Sequence, residues 1–332
     1  MTFIIAEVGV NHNNNLSYAY KYIDLAKKIG VNAVKFQIFK TENYVSIDSP
    51  LAKYQKQNSP ITKNQFELIK KLELSEEKIH KIISYCKKKK IEFLCSIFDD
   101  WGLNFVLKNK IKKIKIPSGE INNYPLLEKI SKFKKEIILS TGMSTINEIK
   151  NAIKILTKYK KIKNRDISIL HCHSYYPSEN EDLNLNAIKT MQLKFKNAIG
   201  FSDHSLGSHA AIAAIAMGAN IIEKHITLNK SLSGPDHKAS LNPVEFQMFV
   251  NLIRQTEKCL GSGIKKPTIK EKEIMKIARK SIVAKIDIKK NEIFSLKNIA
   301  FKRPGTGVSP IYFKKILGKK ASKSFLKDQQ IK

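Results

Sequence analysis

Arginine is nearly missing from this chain: of its 60 basic residues only Arg165, Arg254, Arg279 and Arg303 carry a guanidinium. The net charge of +31 is therefore a lysine charge. Lysine is a compact, strongly hydrated cation without the planar fork that reads base edges. Its clusters, such as Lys87 to Lys90 or Lys158, Lys160, Lys161 and Lys163, fall at helix ends or turns. They read as a solvated surface, and no nucleic-acid partner is expected. A positive field of this size still draws small anions.

Cysteine is scarce as well. Cys86, Cys95, Cys172 and Cys259 form no CxxC pair, which argues against a disulfide framework or a zinc knuckle. No run reaches the ~18 apolar residues that span a bilayer. Met1 to Val10 is apolar, but it contains Glu7 and lacks a basic leader and a small-residue cleavage site. A soluble, cytoplasmic protein with no membrane partner is expected.

What is present is ordinary globular material: 332 residues, 42% apolar and 27% charged. Eight short apolar runs alternate with amphipathic stretches: Ile4 to Val10, Ala33 to Phe39, Ile91 to Phe98, Ile114 to Pro117, Ile137 to Thr141, Ile167 to His173, Ala198 to His204 and Ile221 to Thr227. Between them lie helical patterns. The clearest is Thr145 to Lys158, where Ile146, Ile149, Ile153 and Leu156 recur at three- and four-residue steps, with Thr145 and Glu148 as a capping box. The alternation predicts an α/β fold, a (β/α)8 TIM barrel over residues 1–262. Residues 263–278, with Gly261 and Gly263 before the Lys-rich Ile264 to Lys272, read as a linker. Residues 279–332 read as a small β-rich domain with pieces at Ser281 to Ala284, Ile299 to Arg303 and Ala321 to Ser322. The long connection Thr41 to Ser75 is expected to cover the mouth through Tyr44 to Gln57.

Strands buried on both faces should be apolar throughout, yet polar residues cluster in the C-terminal halves of these runs: Glu7, Lys35, Gln37, Ser96, Lys115, Ser118, Ser140, His171 to Ser174, Ser202 to His204 and Glu223 to His225. In a barrel those ends converge on one mouth. Lys35 and Lys115 with Ser118, Ser140 and Ser202 suit a phosphate or carboxylate. His204 and His225 end consecutive strands, about 4.8 Å apart, and can reach one divalent ion. Asp203, Glu223 and Asp236 are candidate ligands or ring-orienting groups. Two satisfied structural histidines would leave the same text. The loop Ser233 to Leu241 brings Asp236 and His237 against the mouth. His12, His80 and His209 read as surface or helix residues, His12 lying near the mouth beside Asn11.

The motifs Ile5-Ala6-Glu7-Val8-Gly9-Val10-Asn11-His12, Val34-Lys35-Phe36-Gln37, Lys115-Ile116-Pro117-Ser118-Gly119-Glu120, Leu139-Ser140-Thr141-Gly142-Met143, Phe201-Ser202-Asp203-His204, Glu223-Lys224-His225 and Gly234-Pro235-Asp236-His237-Lys238-Ala239-Ser240-Leu241 together resemble the bacterial sialic acid synthases. The tail, with Lys302-Arg303-Pro304-Gly305, resembles their C-terminal antifreeze-like (SAF) domain. The resemblance implies condensation of phosphoenolpyruvate with an N-acetylmannosamine-type sugar, with C–O cleavage and a divalent metal ion, Mn2+ or Mg2+, held by His204 and His225. It implies that Lys35, Ser96, Lys115, Ser118, Ser140, Ser174 and Ser202 hold phosphoenolpyruvate, and that Gln37, Glu120, Tyr176 and Asp236 meet the sugar. Glu7 would be the acid/base or hydroxyl-orienting group. Arg303 would reach a partner's barrel in a domain-swapped homodimer. N-acetylneuraminate is the favoured product and legionaminate, from 2,4-diacetamido-2,4,6-trideoxymannose, the alternative. Less favoured are a synthase for a phosphorylated sugar and a non-catalytic polyanion-binding barrel. The chain departs from the family pattern at Cys95-Ser96-Ile97-Phe98, which lacks a proline, and at Cys172-His173-Ser174, where His173 has no assigned role.

Overall fold

The computed structural model describes residues 1–58 and 62–331, the side chains of Tyr54 and Gln57 excepted. The eight runs form eight parallel strands: β1 (Phe3–Gly9), β2 (Ala33–Ile38), β3 (Glu92–Ile97), β4 (Lys113–Ile116), β5 (Glu136–Ser140), β6 (Ile167–Cys172), β7 (Ala198–Asp203) and β8 (Ile221–His225). They pair in chain order, and β1 closes on β8 through Phe3 opposite Ile221 to Glu7 opposite His225. The fold is a (β/α)8 barrel. Observed strand ends lie within two residues of the expected ones. The helix Ile146–Leu156 begins on the expected Thr145–Glu148 capping box.

Because a strand repeats every two residues, each strand sends one set of side chains into the barrel and the other out to the helices. The inward set changes character along the axis. Ile5, Ala33, Leu94, Ile138 and Leu170 form a dry layer of their own. Two residues further along the same strands stand Glu7, Lys35, Ser96, Ser140 and Cys172. The outward set, including Ile4, Ala6, Val34, Phe36, Cys95, Ile97, Ile169 and Phe201, joins the main core with the helices. The apolar layer thus supports the polar one above it, and that step of two places the site.

At the end of β1 the register shifts between Glu7 and Gly9. Gly9 has φ +56°, and a Cβ there would lie 3.2 Å from Glu7 Oε1 and 3.4 Å from His225 Cε1. Only glycine accepts both the left-handed backbone and that approach.

The connection after β2 contains the helices Thr41–Tyr44, Lys53–Asn58 and Gln65–Leu72. Val10, Phe39, Val45, Leu51, Leu68, Ile69, Leu72 and Phe98 give it a small apolar core of its own.

The chain divides into two compact units, Met1–Gly261 and Ser262–Lys332. The second holds an antiparallel pair, β9 (Ser281–Ala284) and β10 (Ile299–Lys302), over a core that includes Ile282, Ile288, Phe294, Phe325 and Ile331. Two expectations change here. The stretch read as a linker carries the helix Ile269–Ala278, started by a Thr268–Glu271 capping box. Ala321 and Ser322 form no named strand; instead, Ala321 exchanges backbone bonds with Asn291 and Glu292.

Among the described residues no helix is long and apolar enough to cross a membrane. All four cysteines are free, Cys86, Cys95 and Cys172 buried and Cys259 exposed.

Candidate active site

A cavity of about 280 Å³ opens at the C-terminal mouth of the barrel. Of the residues that the family resemblance assigns to substrate or metal, all line it except Glu120 and Arg303: Glu7, Lys35, Gln37, Ser96, Lys115, Ser118, Ser140, Ser174, Tyr176, Ser202, His204, His225 and Asp236. Glu120 is buried, its carboxylate accepting from Asn123 Nδ2 at 2.7 Å, and burial raises its pKa. Arg303 belongs to the second unit, where it is exposed and its Nε donates to the Ala278 carbonyl at 2.9 Å.

The lysines are not a bare cationic cage. Lys35 Nζ lies 2.9 Å from Glu7 Oε2 and 3.6 Å from Glu223 Oε1, and donates to Ser96 Oγ at 2.9 Å. Lys115 Nζ donates to both Glu223 oxygens, at 2.7 and 2.8 Å, and Ser202 Oγ donates to Glu223 Oε1 at 3.0 Å. Two ammonium groups and two carboxylates form one buried, charge-balanced chain. Burial favours the neutral acid at Glu223, but Lys115 and Lys35 outweigh it and hold the carboxyl far below its usual range. Glu7 goes the other way: its burial and the neighbouring Glu223 exceed the pull of Lys35, so its pKa is raised. Asp236 is pushed up to about 7 by burial and by Glu7. Environments that drive carboxyl groups apart in this way separate acids from bases.

The imidazoles of His204 and His225 face one another across the cavity, ring centroids 5.6 Å apart. His204 Nδ1 donates to the His173 carbonyl at 2.6 Å, while Nε2 lies 3.0 Å from the Tyr176 hydroxyl and 3.5 Å from Ser202 Oγ. A carbonyl can only accept, so it takes the Nδ1 proton and turns Nε2 toward the cavity. That gives His173 a function through its backbone. His225 Nδ1 is buried with no hydrogen-bond partner, and burial together with the nearby His204 and Lys35 holds the ring neutral, its pKa well below the usual value. Burial alone would lower the His204 pKa, but Cys172 and the His173 carbonyl outweigh it and raise it; once that ring is deprotonated, two imidazoles lining one cavity offer nitrogens to a divalent cation. No group of three His, Cys, Asp or Glu able to hold a metal exists among the described residues, so substrate or water would complete such a shell.

Three expected neighbours lie elsewhere. Asp203 faces out of the barrel, where it pairs with buried Lys224 at 2.8 Å and accepts from Ser205; it sits one residue out of step with Ser202, and strand parity sends it to the other face. His237 does not line the cavity; it is wholly buried, bonded to Thr227 Oγ1 at 2.8 Å and Asn13 Oδ1 at 3.3 Å. His12, expected on the surface or a helix, is also wholly buried: its ring packs 6.0 Å from Phe36, Nδ1 accepts from the Asn14 N–H, and burial lowers its pKa to about 3.

Glu223 is the central group that the residue pattern underrated. The step of two from Glu223 to His225 along β8 puts both inside, and that parity was the available signal. Tyr44, Gln55, Gln65, Ile69, Phe98 and Val10, which also line the cavity, have no periodic signature, since they meet only when the segment after β2 folds over the mouth.

This geometry has relatives. Residues 22–265 match the NeuB family and residues 279–332 the SAF domain. The chain is 44% identical to the N,N'-diacetyllegionaminic acid synthase of Campylobacter jejuni subsp. jejuni, covering 100% of this chain and 99% of that one. It is 41% identical to the enzyme of the same name from Legionella pneumophila subsp. pneumophila, over 96% and 90%. The crystal structure of an N-acetylneuraminic acid (sialic acid) synthetase from Leptospira borgpetersenii in complex with citrate superposes with a TM-score of 0.72 at 33% identity, over 82% of this chain and 90% of that one. The barrel, its polar layer and the matched length agree: the chain is an enzyme of the NeuB family, the family of sialic, legionaminic and pseudaminic acid synthases.

Proposed function

We propose that the enzyme condenses phosphoenolpyruvate with a 2-acetamido aldose to give a nine-carbon 2-keto acid and phosphate. The observation that carries this reading is the lysine–carboxylate chain lying in one cavity with two facing imidazoles. The acceptor best supported is 2,4-diacetamido-2,4,6-trideoxymannose, in preference to the N-acetylmannosamine that the residues alone favour. Its support is the likeness to two synthases of N,N'-diacetyllegionaminic acid over nearly the whole chain.

In this mechanism Lys35 and Lys115 meet the phosphate and carboxylate of phosphoenolpyruvate, with hydroxyls from Ser96, Ser118, Ser140, Ser174 and Ser202 around them. A divalent ion, Mn2+ or Mg2+, held by the cavity nitrogens of His204 and His225 would supply a Lewis acid for the aldehyde oxygen. Carbon 3 of phosphoenolpyruvate forms the new C–C bond to the aldehyde carbon, whose oxygen takes a proton. Positive charge then grows at C2, beside the Glu7 and Glu223 carboxylates. Water adds at C2 and gives up a proton to Glu7, which Lys35 holds in place. The C2–O bond to phosphate breaks as the hemiketal hydroxyl passes its proton to the departing phosphate; the proton left on Glu7 balances the one taken up by the aldehyde oxygen, and the keto group remains.

The test is phosphate and keto-acid release from phosphoenolpyruvate plus either sugar, with Mn2+ or Mg2+. Metal-dependent turnover is expected, faster with the diacetamido sugar. No phosphate from either sugar, together with salt-sensitive retention on a polyanion, would replace this reading with that of a basic binding barrel. The same assay addresses Arg303, which by family resemblance would meet the sugar's acetamido group from a partner chain in a domain-swapped homodimer. Arg303→Ala should raise the KM of the sugar more than that of phosphoenolpyruvate; an equal rise in both would count against that role.

A further inference from the structure

The cavity is charged at its floor and apolar along one side of its rim. Val10, Tyr44, Ile69 and Phe98 line the same space as Lys35 and Lys115. They belong to, or pack against, the separate small core of the segment over the mouth. The Tyr44 ring lies 4.5 Å from that of Phe98 and 5.7 Å from that of Phe39, both tilted, so the wall is held by packed aromatic neighbours. Burial, with Glu120 and Asp236 nearby, pushes the Tyr44 hydroxyl up to about 12, keeping it neutral. Two carboxamides, Gln55 and Gln65, interrupt this wall. Gln55 Oε1 accepts from the Ala52 N–H at 2.9 Å, which fixes the side chain and leaves its Nε2 as the group on offer.

The reaction sets the direction of the sugar. Carbon 1 must reach phosphoenolpyruvate at the floor, so C4 to C6 extend toward the rim. A hydroxyl pressed against Val10, Ile69 or Phe98 would lose water without gaining a partner, whereas a methyl would gain contact. A primary carboxamide presents both donor and acceptor, the complement of an N-acetyl group. We infer that the wall of Val10, Tyr44, Ile69 and Phe98, with Gln55 and Gln65, selects the acceptor by its far end. It favours a sugar carrying a methyl and an acetamido group there over one carrying hydroxyls. This rests on the synthase reading, and it adds which residues make the choice.

The experiment compares kcat/KM for 2,4-diacetamido-2,4,6-trideoxymannose and N-acetylmannosamine in the full chain with Mn2+. Two differing groups against such a wall should give the wild type a preference of about 100-fold. Ile69→Asn, which puts a smaller, polar amide in the apolar wall, should cut that ratio about tenfold with the KM of phosphoenolpyruvate unchanged. Gln65→Leu, at a half-buried position, should slow the diacetamido sugar alone. Calorimetric binding of phosphoenolpyruvate establishes that each variant is folded. A wild-type ratio near one, or ratios unmoved in both folded variants, would overturn the inference while leaving the synthase reading intact. Absence of turnover with either sugar would remove both.

Discussion

Glu223→Ala should melt about 10 °C below the wild type and recover much of that loss when inorganic phosphate is added. Glu223 is 5% exposed in its side chain and accepts two bonds from Lys115 and one from Ser202, with Lys35 at 3.6 Å. Its removal leaves a buried ammonium without its counter-charge. Breaking a buried pair from one side typically costs about 3–5 kcal/mol, and a unit of this size loses about 2–4 °C per kcal/mol. The vacated space lies among the groups proposed to hold phosphoenolpyruvate, so a dianion can restore the balance that the carboxylate supplied. Binding to the folded state alone raises stability in proportion to the logarithm of ligand concentration. Scanning calorimetry with and without phosphate reads this directly. The larger phosphate shift should belong to the variant. A melting point within about 2 °C of the wild type, or an equal phosphate shift in both proteins, would mean that Glu223 is not the counter-charge of the two lysines. Glu223→Gln keeps the shape and removes the charge; it should fold, and its phosphoenolpyruvate KM reports the electrostatic part separately.

The same strand arithmetic explains how much of the architecture could be read from residue order. Eight runs with polar C-terminal halves announce both the barrel and its mouth, because parallel strands covered on both sides must otherwise be apolar. Within a run, parity assigns each polar group to a face: Glu223 and His225 inside, Lys224 outside, Ser202 inside, Asp203 outside. Charge type alone does not carry that information: Asp203 reads as a candidate ligand, yet it faces the helices with Lys224.

Loops obey no such rule. His12 and His237 are buried because the turn after β1 and the loop after β8 fold onto each other, as in the bond from Asn11 Nδ2 to the Ile226 carbonyl. More than 200 residues separate those partners, and no local pattern reports on them. The rim wall is legible only in outline: the long connection reads as a cover through Tyr44 to Gln57, and Tyr44 and Gln55 do line the cavity, but nothing marks Val10, Ile69 and Phe98 as their neighbours. Its members come from the ends of β1 and β3 and from helices within the segment after β2, and they become neighbours only through tertiary packing. His173 shows a further limit. Its contribution to the site is the carbonyl that orients His204, and a backbone acceptor carries no residue signature.

His204→Ala and His225→Ala should each abolish metal-stimulated turnover, a loss of at least about 10³-fold, while the barrel stays folded. The rings approach from the ends of adjacent strands with centroids 5.6 Å apart, and the Nδ1 bond to the His173 carbonyl already orients one of them. Replacing either leaves a single nitrogen donor, and no third His, Cys, Asp or Glu among the described residues completes a metal-holding group. Removing a cation by chelation should mimic the substitutions in the wild type and have no further effect in the variants. Activity alone would not separate a lost ion from a misplaced Tyr176, whose hydroxyl lies 3.0 Å from His204 Nε2. The second readout is therefore direct Mn2+ binding, by titration calorimetry or by the loss of the free-ion paramagnetic resonance signal. Tyr176→Phe should keep that binding and slow turnover, whereas either alanine variant should lose it. Wild-type turnover that persists in EDTA, or an alanine variant that still binds Mn2+ with wild-type affinity, would show that the two imidazoles serve the site as hydrogen-bonding groups and not as ligands.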